Sequence, residues 1–369
     1  MCDSAPRIRQ VLLLLSTQHS FARSIVRGVM HFARTEAREP WLLDQRIGRQ
    51  HDFDPAAYDG ILTGGHTRAV AEALAGSRTP IVSVVDWSGA AAAGPLVSID
   101  DVAVGRRAAA FFLARGYTRL AYITRPRPFS QQRLEGFRQA LGEADVQPVI
   151  CRNRIDERWL ETVPKPVGVF AANDPAAQAG VNACRSSGLS VPDDVAVLGV
   201  DDDDLLCETT DPPLGSIAVP HRGVGYMAAK RLDALLAGED VPAVTRLAPG
   251  MPVVRRSCDA LAVEDPVVRR AVSLLRTRLA QQINVTELAK LVGVSRRTLQ
   301  ARFREQLGHA PLEVLQEYRL TKAASLLRQT DENLSAIAAA CGYSNATRLI
   351  EAFERRHGES PTAYRLSGK

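Results

Sequence analysis

Leu288-Ala-Lys-Leu-Val-Gly293-Val-Ser295 returns 49 residues later as Ile337-Ala-Ala-Ala-Cys-Gly342-Tyr-Ser344, with alanine, glycine and serine at the same places. One residue is inserted in the second copy. Beyond it, Leu299, Phe303, Gly308 and Pro311 match Leu349, Phe353, Gly358 and Pro361 at an offset of 50. Self-similarity of this kind marks a repeated supersecondary unit. Each copy reads as a helix, a tight turn and a second helix: alanine packs where the helices cross, glycine permits the turn, and serine can cap the next helix. Leu299 and Phe303 fall on one face at i, i+4, as do Leu349 and Phe353, so that face is buried.

The faces left outward carry the chemistry. Arg296, Arg297, Gln300 and Arg304 include the donor types that bond base edges and phosphates in the major groove. Between the copies, Pro311 to Arg328 reads as one helix of roughly 27 Å, of the order of the ~34 Å between successive major grooves on one DNA face. From Asp265 to Lys369 there are 17 Lys+Arg against 10 Asp+Glu, whereas residues 1–264 hold 29 against 31. All of the +5 net charge therefore belongs to the segment with the repeat, as expected of an end that displaces counterions from a polyanion. The alternative for this segment is an all-α dimerisation bundle.

Upstream, short apolar runs alternate with amphipathic stretches, the signature of βα units around a parallel sheet. Strands are expected at Val11–Leu15, Gly60–Thr63, Ile81–Val85, Leu120–Thr124, Val167–Ala171 and Val195–Val200. Helices are expected at Phe21–Ala37, Val102–Arg115, Gln131–Glu143, Ala176–Ser187 and Val224–Leu236. The length allows two doubly wound lobes facing one another across a ligand cleft. Asp86, Asp100, Asn173 with Asp174, and Asp201 with Asp202 lie just after strands, where such residues also open turns and cap helices. Pro266 suits the first turn of a new helix. The expected organisation is a two-lobed α/β sensing domain over 7–258, a linker over 259–265, and an all-α domain with two helix-turn-helix units over 266–366.

Two resemblances sharpen this reading. Gly293-Val-Ser-Arg-Arg-Thr-Leu-Gln-Ala-Arg-Phe303, Ile337-Ala-Ala-Ala-Cys-Gly-Tyr343 and Gly358-Glu-Ser-Pro-Thr-Ala-Tyr-Arg365 resemble the DNA-binding domain of AraC/XylS regulators, over 266–366. That likeness implies groove-facing roles for Arg297, Gln300 and Ala301 on the first reading helix, and for Ala346, Thr347, Arg348 and Ile350 on the second, an unusually apolar set. Phe170-Ala-Ala-Asn-Asp174, Val197-Leu-Gly-Val-Asp-Asp202, Ser216-Ile-Ala218 and Gly225-Tyr-Met-Ala-Ala229 resemble the effector domain of lactose-repressor-type regulators, itself similar to periplasmic sugar-binding proteins, over about 7–255. The two in this order are similar to xylose operon regulators. The resemblance implies a small sugar effector, a pentose such as xylose, held by Asp100, Arg133, Asn173 and Asp201. Position 219 departs from it, being Val where a polar residue often sits. It further implies an operator in double-stranded DNA, a homodimer joined through the sensor, RNA polymerase as a further partner, and no cofactor.

An enzyme fused to a DNA-binding domain is the competing class, since doubly wound folds host many chemistries. The sequence has no G-x-G-x-x-G after the first strand, no phosphate-binding G-x-x-x-x-G-K-[ST], no G-x-S-x-G and no H-E-x-x-H. No catalytic role is expected. The acidic run Asp201–Asp204 reads as a turn before it reads as a metal site. Six cysteines without C-x-x-C spacing fit free thiols in a cytoplasmic protein, and no apolar run is long enough to span a membrane. A third possibility keeps DNA binding but makes the first half an oligomerisation or protein-interaction module without a sugar ligand.

Overall fold

The buried apolar runs become the central strands of two six-stranded sheets. The computed structural model describes residues 7–46, 53–64, 68–85, 94–152, 155 and 157–367, so Asp86 lies outside the described residues. The chain divides into two units, Met1–Leu261 and Ala262–Lys369.

In the first unit, one lobe opens with β1 (Arg9–Leu14), α1 (Ser20–Thr35), β2 (Trp41–Arg46), β3 (Gly60–Gly64), α2 (Arg68–Ala75), β4 (Ile81–Val85) and β5 (Leu96–Ile99). The chain crosses to the second lobe with α3 (Asp101–Leu113), β6 (Leu120–Thr124), α4 (Pro128–Gly142), β7 (Val149–Arg152), α5 (Glu157–Thr162), β8 (Val167–Ala171), α6 (Asp174–Ser186), β9 (Val195–Asp201), α7 (Asp204–Thr209) and β10 (Gly215–Ala218). It returns for α8 (His221–Leu236) and β11 (Val244–Leu247), and crosses a third time to β12 (Pro252–Val253). The sheet orders are β11-β5-β4-β3-β1-β2 and β12-β10-β9-β8-β6-β7. All pairings are parallel except β10 with β12. Each lobe thus carries the same doubly wound order plus one strand supplied by a later crossing, which places strand ends from both lobes along a common cleft.

The lobes share a packing device. A Cβ on Gly28 of α1 would lie 2.0 Å from the Arg222 carbonyl oxygen, and one on Gly225 of α8 would lie 1.9 Å from that of Ile25. In the other lobe a Cβ on Gly105 of α3 would lie 1.9 Å from the Arg133 carbonyl oxygen, and one on Gly136 of α4 would lie 1.9 Å from that of Val102. Reciprocal glycines therefore let each helix pair meet backbone to backbone, an approach any side chain would block. This contact determines how closely α3 and α4 bring their side chains together at the cleft.

The second unit is helical: α9 (Pro266–Thr277), α10 (Val285–Leu291), α11 (Arg296–Leu307), α12 (Pro311–Gln329), α13 (Leu334–Ala340), α14 (Ala346–His357) and α15 (Pro361–Ser367). The turn glycines of the repeat, Gly293 and Gly342, both take positive φ, 77° and 76°, a region open to glycine at little cost. Ser295 caps α11 by accepting from Thr298 N at 3.1 Å. In the second copy the cap is Asn345, which accepts from Arg348 N at 2.9 Å, and not Ser344. The inserted residue falls between the turn and the cap, which is why the offset changes there from 49 to 50. Leu288, Ala289, Leu299 and Phe303 are buried in one core, and Ile337, Ala338, Leu349 and Phe353 in another. The central helix α12 serves both: Val314 and Leu315 enter the first core, Leu320, Ala323 and Leu327 the second. Cys151, Cys184, Cys207, Cys258 and Cys341 are buried, and none of them is in a disulfide. Among the described residues no helix is long and apolar enough to cross a membrane.

Candidate functional site

The cleft of the first unit holds a cavity of about 560 Å³, within the range of small-molecule sites. Of the four residues expected to contact an effector, Arg133, Asn173 and Asp201 line it and Asp100 does not. Asp100 instead caps α3, accepting from Ala103 N at 2.9 Å. Its neighbour Asp101 takes the place in the cavity. Val219 is not among the lining residues either.

Asp101 and Gly105 stand one turn apart on α3, and Arg133 and Gly136 nearly one turn apart on α4, so the glycine contact between the helices also brings the two charged side chains together. Arg133 Nε donates to Asp101 Oδ1 at 2.7 Å, Nη1 donates to the Ala172 carbonyl, and Nη2 lies 3.9 Å from Asp201 Oδ1. The guanidinium carbon is 4.8 Å from the centroid of the Phe129 ring. Arg133 is only 4% exposed. Burial works against its charge, but the Asp101 and Asp201 carboxylates prevail and raise its pKa. Burial also pushes the Asp101 carboxyl up, against the pull of Arg133.

Asn173 caps α6, its side chain accepting from Ala176 N at 3.1 Å. Asp201 ends β9 with φ at 116°, and Asp202 follows with φ at 52°, conformations that residues other than glycine seldom adopt. His221, at the start of α8 in the opposite lobe, brings Nε2 to 3.3 Å from Asp201 Oδ1. It packs 5.7 Å, centroid to centroid, from Phe21. His221, Phe21 and Phe129 all line the cavity and were not foreseen. The sequence signal for His221 would have been its place just after the apolar run Ser216–Ala218, a strand end like the others. The cavity thus offers carboxylate acceptors, the buried Arg133 guanidinium and further guanidinium donors from Arg23, Arg125, Arg127 and Arg246, amide and imidazole groups that can do both, and two rings.

Beneath it, Asp174 is fully buried. It accepts from Ser216 Oγ at 2.6 Å and from Asp203 N at 2.9 Å. Burial, with the nearby Asp201 charge, pushes its carboxyl up to about 8. It supports the β9 end and does not line the cavity. Among the described residues no group of His, Cys, Asp or Glu could hold a metal ion.

In the second unit, Arg296, Arg297, Ala301 and Arg304 of α11 are exposed and Gln300 is half-buried. The opposite face of the helix buries Leu299 and Phe303. On α14, Thr347 and Arg348 are exposed, Ala346 and Ile350 are half-buried, and Arg348 Nη1 lies 3.6 Å from Glu351 Oε2. The first outer face is cationic and hydrogen-bonding; of the four residues expected to face the groove on the second, only Arg348 is charged, and it is paired with Glu351.

Residues 109–258 match the family of periplasmic binding protein-like domains, and residues 288–367 match a helix-turn-helix domain family. The xylose operon regulatory protein of Escherichia coli (strain K12) is 27% identical over 96% of each chain. A solved structure of the xylose-binding transcription activator xylR superposes with a TM-score of 0.77 at 25% identity, covering 98% of this chain and 99% of that one. A regulatory protein of the LacI family from Chloroflexus aggregans shares the fold over 68% of this chain and 98% of its own, with a TM-score of 0.55 at 20% identity. These likenesses correct the assignment to AraC/XylS regulators. That assignment rested on motifs within 266–366, under a third of the chain. The end-to-end likeness is to xylose operon regulators, and the larger, sensing part has a lactose-repressor-type fold. With transcription regulators matching it over 96–98% of its length, the chain is a DNA-binding regulator of transcription.

Proposed function

We propose that the cleft binds a small sugar, a pentose such as xylose, and that its occupancy changes how the paired reading helices are presented to operator DNA. Convergence of Asp101, Arg133, Asn173 and Asp201 on one cavity carries this reading. Sugar hydroxyls both donate and accept, so they require carboxylate and amide acceptors and a guanidinium donor, and the flanking Phe21 and Phe129 offer faces for the ring carbons. Binding would favour whichever arrangement of the lobes holds the sugar more tightly, in proportion to that difference in affinity. Asp201 and His221, from opposite lobes, are placed to register that change.

On the same reading, residues 7–258 sense and 266–366 bind DNA, in a homodimer joined through the sensor as is usual for two-fold operators. Arg296, Arg297, Gln300, Ala301 and Arg304 face the groove on the first helix, and Ala346, Thr347, Arg348 and Ile350 on the second. Calorimetry of the full chain against D-xylose, L-arabinose, D-ribose and D-glucose tests the effector. A pentose should bind to the wild type and be lost in Asp201→Ala. Absence of binding by every sugar, or unchanged affinity in that variant, would overturn the assignment.

A further inference from the structure

The two aspartates at the end of β9 face different tasks. Asp201 lies in the effector cavity beside Arg133 and His221. Asp202, the next residue, sends its carboxylate to Arg255, whose Nη1 is 2.8 Å from Asp202 Oδ1. Both residues hold positive φ, sparsely populated backbone conformations of the kind that cluster at switch regions.

Arg255 stands where the chain leaves the sensor. Nη1 also donates to the Leu214 carbonyl at 3.1 Å, and Nε to Glu208 Oε1 at 3.1 Å. The next residues form a single 3₁₀ turn, Arg256–Cys258. Ser257 Oγ donates to the Val197 carbonyl of β9 at 2.7 Å and accepts from Gly215 N of β10 at 2.9 Å. The buried Cys258 thiol covers Gly215 so closely that a Cβ there would lie 2.1 Å from its sulfur. Three residues later the unit ends, and the chain continues into the helical unit.

We propose that Arg255 is the positioning residue through which effector binding at Asp201 reaches the exit segment and hence the DNA-binding unit, the Asp201–Asp202 backbone being the joint between them. The inference rests on the effector reading given above. A shift of Asp201 on engaging a ligand reorients Asp202, changes its hold on Arg255, and alters the anchoring of residues 255–258. Arg255 lies outside the cavity and contacts neither ligand nor DNA in this scheme, so it affects only the coupling between the two binding events.

The test uses the full chain, with Arg255→Ala, Asp202→Asn and both together, and Glu208→Gln as the control that removes the other ion pair of Arg255. Operator affinity is measured with and without D-xylose, and D-xylose affinity by calorimetry. Expected in each single variant is sugar affinity within about twofold of wild type, with the sugar-induced change in operator affinity cut by about fivefold or more. The double variant should be no worse than either single one, since both break the same link, and Glu208→Gln should respond like the wild type. If Arg255→Ala does not fold, the near-isosteric Asp202→Asn gives the same readout. A full response in Asp202→Asn would overturn the proposal. A second arm needs no sugar. Asp201→Asn should speed hydrogen exchange at the Ser257 and Cys258 amides in the wild-type background and add nothing in the Arg255→Ala background; unchanged exchange in the first case would also overturn it. If D-xylose does not bind the wild type, the effector reading fails, and the exchange arm alone decides the coupling.

Discussion

Replacing Asp101 with alanine separates the residue that holds the cleft together from the one that starts a helix. Asp101→Ala removes the carboxylate 2.7 Å from Arg133 Nε and leaves a guanidinium that is 4% exposed without its nearest counter-charge. Breaking a buried ion pair from one side typically costs about 3–5 kcal/mol. Asp201 at 3.9 Å and the Ala172 carbonyl remain, which places the cost near the lower end, about 3 kcal/mol. At about 2–4 °C per kcal/mol for a unit of this size, the melting transition of the sensor should fall by roughly 6–12 °C. Asp100→Ala removes only a helix cap, about 1 kcal/mol, and should shift the same transition by about 2–4 °C. Differential scanning calorimetry of the full chain gives both numbers, and sugar titration of the two variants gives the functional contrast: Asp101→Ala loses pentose binding and Asp100→Ala keeps it. The reverse pattern, with Asp100→Ala the more damaging to stability and binding, would refute the placement of Asp101 and Arg133 at the centre of the site.

Other perturbations follow from the same contacts. Gly105→Ala forces α3 and α4 apart, because the new methyl would lie 1.9 Å from the Arg133 carbonyl oxygen; about 1–3 kcal/mol of destabilisation is expected, whereas Gly142→Ala, with nothing within 4 Å, should be neutral or slightly stabilising in the same melts. Asp174 is held protonated up to about 8 against about 3.9 in an unfolded chain, so the folded state binds the extra proton between those values and stability falls as pH rises through that window. The stability advantage of the wild type over Asp174→Asn should therefore shrink from pH 6 to pH 9; a constant difference across chemical melts would contradict the burial argument. Arg297→Ala or Gln300→Ala should weaken operator binding by about 1–3 kcal/mol and relax preference at one part of the site, while wild-type affinity falls steeply with salt; unchanged gel shifts in both would remove α11 from the interface.

Much of this was legible before the structure, and the gaps have physical causes. The six apolar runs assigned as strands are central strands, covered on both faces, so their residue types carry the signal. β2, β7 and β11 lie at or near sheet edges and are half exposed, and their mixed polarity conceals them. Asp100 and Asp101 are indistinguishable as letters: capping is a local i to i+3 contact, but the inward placement of Asp101 depends on the approach of α3 to α4 at Gly105 and Gly136, a tertiary fact. His221 reaches the cleft only because α8 returns to the first lobe. In the repeat, the cores and turn glycines were readable from spacing, but the inserted residue hid which side chain, Ser344 or Asn345, caps α14. The motifs that resemble AraC/XylS regulators lie within 266–366 and describe the reading domain alone, so they do not name the family of a chain whose greater part has a lactose-repressor-type fold.

Control of DNA binding in the second unit by sugar in the first is tested by titrating D-xylose into the full chain on a labelled operator selected from random DNA, beside Asp201→Ala. Wild-type operator affinity should change with sugar by about 5- to 150-fold, and Asp201→Ala should bind the operator as the sugar-free wild type does and stay unresponsive. An operator affinity indifferent to pentose in the wild type, or a full response surviving in Asp201→Ala, would contradict it.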